Sequence, residues 1–219
     1  MRIKIIACEV MKEELLLIHT KNAVEWHFVS MGLHTRPQKL HDELNSILNA
    51  TAGDYDRIIL GFGLCGGAAR GLKAGNCVLT IPRVHDCIPV FLGSRKVFEQ
   101  MQETPGTFYL TGGWLECGNP VTAEYRRVYA KYGEKKAKMA FSRMYDSYKR
   151  VLFLHTDHPR DAAGLAASEE IAALLDLHCC TAKGNSHYLN RLVNGPWNDD
   201  EFIQLAPGGI LEDSHFSLA

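Results

Sequence analysis

Residues 56–71 read D-R-I-I-L-G-F-G-L-C-G-G-A-A-R-G, and residues 76–87 read N-C-V-L-T-I-P-R-V-H-D-C. Each stretch opens on a short apolar, β-branched run, Arg57 to Gly61 and Cys77 to Ile81, of the length of a buried strand. Each closes on residues that do chemistry: Cys65 in the first, and His85, Asp86 and Cys87 in the second. In an open parallel sheet the loops leaving the carboxyl ends of neighbouring strands face one crevice. The two stretches therefore predict a candidate site at one sheet edge.

Working outward, the same alternation continues in both directions. Arg2 to Ala7 reads as a strand ending at Cys8-Glu9, followed by a helix from about Met11 to Ile18 that packs Leu15 and Leu16 inward. Val24 to Ser30 is a second strand, and Pro37 opens a helix whose apolar face is Leu40, Leu44, Ile47 and Leu48. The third strand is expected from Asp54 to Leu60 and the fourth over Cys77 to Ile81; a helix follows with Ser94 as N-cap, and Thr107 to Leu110 is the fifth strand. The character changes near Asn119-Pro120, where helices over Thr122 to Tyr132 and Glu134 to Tyr148 come with no strand between them. Strands at Arg150 to His155, His178 to Thr181 and Glu201 to Leu205 then alternate with helices at Asp161 to Asp176 and Asn185 to Val193. The pattern is that of an α/β protein with a mostly parallel five-stranded main sheet and flanking helices over residues 1–119. A smaller C-terminal helical and α/β lobe over residues 120–219 is expected to close over the carboxyl edge of that sheet.

Composition narrows the function classes. With 219 residues the chain has enough length for a full core, and 25 acidic against 24 basic residues give a net charge of -1. That balance argues against nucleic acid and against a polybasic membrane anchor, and no apolar run reaches bilayer length. The partner is expected to be a small molecule or another protein. The charged, short apolar start reads as a strand and not a signal peptide, and seven cysteines outside any small secreted scaffold suit a reducing, cytoplasmic setting.

Cys65 sits in a glycine-rich turn whose backbone N–H groups and following helix are expected to lower its pKa, and Gly66 and Gly67 let a ligand or metal approach the backbone closely. His85 and Cys87 alternate along an extended segment, so both can face one side, and with Cys65 and Cys8 they form a possible zinc ligand set of four, or of three with an open position. No C-x-x-C pair is present, which disfavours a zinc knuckle or an iron–sulfur run. His34, in the Gly32–Pro37 turn, supplies a metal-free alternative in which a histidine activates the Cys65 thiol. Trp114 offers an apolar wall for the pocket. His155, Asp157 and His158 resemble a hard-metal cluster and equally an ordinary helix-capping turn; Cys77 reads as core, Cys117 is not assigned, and Cys179 and Cys180 point to opposite faces of a strand. Each of these cysteines and histidines also has a bland reading, as core thiol or solvated loop imidazole.

The ordered set L-G-F-G-L-C-G-G, I-P-R-V-H-D-C-I, L-G-S-R, T-F-Y-L-T-G-G-W and W-N-D-D-E-F-I-Q-L-A-P-G resembles the family catalogued as domain of unknown function 1638. The resemblance covers nearly the whole chain. It carries no established activity and no catalytic residues; that some members are encoded beside corrinoid-dependent methyltransferase components implies a corrinoid or methyltransferase partner. Three functional expectations follow from residues and resemblance together. The first is an enzyme with a thiolate/histidine metal site, zinc foremost, that transfers a methyl or thiol group. The second is a non-catalytic protein that binds and delivers a metal or metallocofactor, and the third is the metal-free cysteine-nucleophile enzyme with His34.

Overall fold

The computed structural model describes residues 1–51, 55–101, 106–118 and 120–217. Asp54, where the third strand is expected to begin, and Asn119, at the expected lobe boundary, lie outside the described residues. The strands in chain order are β1 (Arg2–Cys8), β2 (Ala23–Val29), β3 (Arg57–Gly61), β4 (Val78–Pro82), β5 (Thr107–Thr111), β6 (Arg150–His155), β7 (His178–Lys183) and β8 (Phe202–Leu205). The α-helices are α1 (Lys12–Leu16), α2 (Pro37–Ala50), α3 (Ile88–Leu92), α4 (Arg95–Met101), α5 (Gly112–Glu116), α6 (Pro120–Tyr132), α7 (Glu134–Met144), α8 (Asp161–Leu175) and α9 (His187–Asn194).

The chain divides into two compact units, Met1–Arg95 with Ser186–Ala219, and Lys96–Asn185. The first holds a five-stranded sheet in the order β2-β1-β3-β4-β8, parallel except for the antiparallel β4–β8 pair. The second holds a parallel three-stranded sheet, β5-β6-β7. The protein is thus α/β with a mostly parallel main sheet. Its fifth strand is β8, not Thr107 to Leu110 as the sequence suggests: β5 pairs with β6 instead, and the chain returns after residue 185 to lay β8 beside β4. Pairing between segments this far apart leaves no local signal in either one.

β1 lies between β2 and β3 and is buried on both faces, with Ile3, Ile5 and Ile6 wholly shielded from solvent. This is why it reads as a nearly continuous apolar run and not as an alternating one. The helix after it is shorter than its periodicity suggests: a 3₁₀ turn over Glu9–Met11 precedes α1, Leu15 is buried, and Leu16 is 47% exposed. α2 buries Leu40, Leu44, Ile47 and Leu48 in the i, i+4, i+7, i+8 pattern of one helical face. After β4 the chain forms the short α3, stopped by Gly93 in the left-handed conformation (φ 82°), before α4 begins beyond Ser94. α7 ends at Met144, four residues before the expected Tyr148. In the second unit Phe141, Phe153, Ile171 and Leu175 belong to the core. α8 lies tightly on β6 through Gly164, where a Cβ would stand 2.7 Å from the Phe153 ring.

In this sheet order β1 leads to β2 on one side and β3 on the other, so the carboxyl ends of β1 and β3 flank the topological switch point, where open α/β sheets form their crevice. Among the described residues no helix is long and apolar enough to cross a membrane.

Truncating the central strand should cost far more than truncating its edge. Ile5→Ala is expected to lower unfolding free energy by about 2–5 kcal/mol, against under about 1.5 kcal/mol for Val24→Ala on partly exposed β2, measured by urea titration.

Candidate functional site

Three loops meet at the switch point. β1 ends in Cys8, only 2% exposed, and hands over to Glu9. The Glu9 carboxylate accepts from Ser30 Oγ (2.9 Å) and Met31 N (2.6 Å), which ties the loop after β2 to the end of β1. The 3₁₀ turn over Met31–Thr35 that carries His34 hangs from this tie.

The loops after β3 and β4 are joined backbone to backbone. Leu64 N donates to Val84 O and Cys65 N to His85 O, each at 2.9 Å. Gly63 makes this approach possible, because a Cβ there would lie 2.6 Å from Val84 O and 2.9 Å from Asp86 N. The clamp leaves the chain three successive left-handed residues, Cys65 (φ 48°), Gly66 (φ 68°) and Gly67 (φ 93°). For the non-glycine Cys65 that conformation costs on the order of 1–3 kcal/mol, the kind of strain that collects at functional sites. On the partner loop Asp86 Oδ1 accepts from Ile88 N (2.9 Å), the first residue of α3.

The electrostatics show which side chains face each other. Burial holds the Cys87 thiol well above its ordinary range, and negative charge on Cys8, Asp86 or Cys65 raises it further. Burial likewise pushes Cys65 up to about 12, offset in part by a bond from the Gly63 backbone and worsened by Asp86. The Asp86 carboxyl is raised too, chiefly by burial, with the Ile88 N–H and His85 opposing. Cys87 thus lies within electrostatic reach of Cys8, Cys65 and Asp86, and Cys65 within reach of Asp86. His85 and Asp86 are both exposed; the His85 backbone oxygen accepts from Cys65 N, and the charge of Asp86 bears on Cys65 and Cys87.

A lowered Cys65 pKa, expected from the glycine-rich turn, is not what the structure shows. Cys65–Gly67 is a single 3₁₀ turn with no α-helix behind it, and three of the N–H groups here are spent on carbonyls, Cys65 on His85 O, Gly67 on Leu64 O and Ala68 on Cys65 O. Desolvation then dominates. His34 stacks on Phe62 with ring centroids 5.9 Å apart, burial lowers its pKa, and its buried Nε2 has no hydrogen-bond partner among the described residues. No hydrogen bond to Cys65 activates the thiol.

Trp114 lies in the second unit, on α5, edge-on to Phe108 at 5.9 Å, with its backbone N–H capped by Thr111 Oγ1. His155, Asp157 and His158 lie on the end of β6 and the turn before α8, which has no side-chain N-cap bond. The Asp161 carboxylate accepts from Thr156 N (2.9 Å) and lies 3.5 Å from His155 Nδ1, and His158 Nδ1 accepts from Arg160 N. All seven cysteines are free, and among the described residues no three His, Cys, Asp or Glu side chains already stand in metal-holding geometry. Asp86, which the sequence places at the site between the two expected ligands but to which it gives no role, bears electrostatically on Cys65 and Cys87.

A family model described as "Protein of unknown function (DUF1638)" matches residues 28–193. The chain belongs to the DUF1638 family. No curated protein and no solved structure matches it. The DUF1638 match takes in Cys65, Asp86 and Cys87, while Cys8 and the Trp197–Gly208 motif fall outside it.

Alkylation should expose the desolvated thiol. In the native, metal-free chain the rate at Cys65 is expected to climb about tenfold per pH unit from pH 8 to 10 without levelling, because the thiolate fraction keeps rising below a pKa of about 12. Mass-spectrometric mapping with iodoacetamide measures it; a plateau near pH 9 contradicts the burial. Gly63→Ala is expected to part the two loops and raise Cys87 alkylation at pH 8 severalfold, read by the same mapping.

Proposed function

We propose that this DUF1638 protein is a small-molecule enzyme built on a thiolate metal site, with zinc the foremost ion and methyl or thiol group transfer the reaction class. The observation that supports the reading is that Cys87, on the loop after β4, lies within electrostatic reach of Cys65 after β3 and of Cys8 at the end of β1. A pKa of about 12 leaves roughly one Cys65 thiol in 10⁵ ionised at pH 7, too few for a nucleophile without a bonded base, and His34 makes no such bond. This favours the metal over the metal-free reading. Zinc bound there supplies Lewis acidity that keeps a coordinated thiol deprotonated at neutral pH. Within this reading Cys8, Cys65, His85 and Cys87 would hold the ion, and Asp86 would serve as a further carboxylate ligand or a proton acceptor for an incoming thiol. A corrinoid or methyltransferase partner rests on the family resemblance alone, and the reducing cytoplasm is the setting that suits free thiols.

Elemental analysis of protein purified without oxygen tests the site. About one zinc per native chain is expected, with negligible metal in the Cys65→Ser, Cys87→Ser double variant and in Cys8→Ser. Equal and negligible content throughout rejects the metal. Zinc that passes freely to an apo-acceptor protein, and is not retained through turnover, points instead to a delivery protein.

A further inference from the structure

Gly66 and Gly67 also floor a cleft of ≈ 300 Å³, walled by Pro37, Gln38 and His41 of α2 and by Arg70. This is the size of a small ligand pocket. Where a Cβ of Gly67 would stand there is open space, so the floor raises no side chain into the cleft. The polar groups around it have defined roles. His41 Nδ1 lies 3.0 Å from the Ala68 carbonyl oxygen; a carbonyl only accepts, so Nδ1 carries the hydrogen, and in the neutral ring Nε2 is the acceptor. Arg70 spends Nε (2.8 Å) and Nη2 (2.6 Å) on the Asp213 carboxylate, which fixes the plane of the guanidinium and leaves its Nη1 edge to donate. Gln38 commits Nε2 to Asp42 at 2.9 Å, and its oxygen is an acceptor. None of the six lining residues is acidic.

One cationic donor set between neutral acceptors complements a molecule that carries an anion and a hydrogen-bond donor within a few atoms of each other. We propose that this cleft binds a small carboxylate bearing a hydroxyl or amino donor, its carboxylate on Arg70 and its donor on His41 Nε2. The assignment names the substrate class for the site one residue from Cys65; it rests on the metal-thiolate reading for its chemistry, though not for binding.

The test is titration of glycolate into the full-length, metal-free chain, followed by the His41 ring resonances. Propionate, which lacks the donor, and glycolamide, which lacks the charge, are the comparisons. Glycolate is expected to saturate with a Kd of the order of millimolar, as suits five heavy atoms, and each comparison compound to bind about tenfold more weakly. Arg70→Gln should lose about tenfold and Arg70→Lys should recover part of it, with melting curves confirming that both fold. If Arg70→Gln does not fold, the ligand series on the native chain decides alone. Glycolate binding no tighter than propionate or glycolamide, or unchanged in a folded Arg70→Gln, overturns the proposal. Zinc content is measured in parallel. Zinc present with no glycolate preference sinks the cleft and spares the metal; glycolate preference without zinc does the reverse.

Discussion

The site depends on two backbone hydrogen bonds, Leu64 N to Val84 O and Cys65 N to His85 O, which bind the loop leaving β3 to the loop leaving β4. The parallel pairing of β3 with β4 sends both loops out of the same sheet edge, and Gly63 removes the one Cβ that would hold them apart. Everything chemical about the site descends from that closeness. It consumes the Cys65 N–H and leaves Cys65 in the left-handed region, with Cys8 and Cys65 both within electrostatic reach of Cys87. A glycine-rich turn in this setting has few donors left for an anion, because the N–H groups of Cys65, Gly67 and Ala68 are spent on carbonyls.

Burial disfavours negative charge on Cys65 and Cys87, and the charge of Asp86 bears on both. For Cys65 the bias is about three pKa units above its ordinary value, or roughly 4 kcal/mol against the thiolate. A soft divalent cation reverses the sign, since each neighbour that repelled a thiolate becomes a ligand. Zinc bound to thiolate sites contributes on the order of 10 kcal/mol or more, enough to exceed a deprotonation penalty of this size. The same magnitudes work against an unassisted nucleophile, which has no compensating charge.

Much of the scaffold was legible in the residues. The β-branched runs at Arg57 to Gly61 and Cys77 to Ile81, Pro37 at a helix start and the spacing of Leu40, Leu44 and Ile47 all report local backbone preference, and the elements lie there. The place of Phe202–Leu205 beside β4 was not legible, nor was that of Thr107–Thr111 beside β6, because partner choice between distant strands is settled by tertiary packing. Leu16 has the right periodicity for the core and still faces solvent, since the 3₁₀ turn over Glu9–Met11 uses up the start of the helix and α1 ends there. At the site, strand ends told which loops would be neighbours. They did not tell that the charge of Asp86 bears on Cys65 and Cys87, nor that burial would outweigh the turn's N–H groups, because both depend on side-chain direction and desolvation.

Counting the protons released when zinc binds tests the central claim most directly. Calorimetric titration of the anaerobic, metal-free chain with zinc at pH 7, repeated in buffers of different ionisation enthalpy, reads that number. If Cys8, Cys65 and Cys87 are protonated together and bind one ion as thiolates, close to three protons leave per zinc, and the number falls by about one in Cys8→Ser. Zinc binding that releases one proton or none, or a count that is unchanged in Cys8→Ser, contradicts a single three-thiolate site.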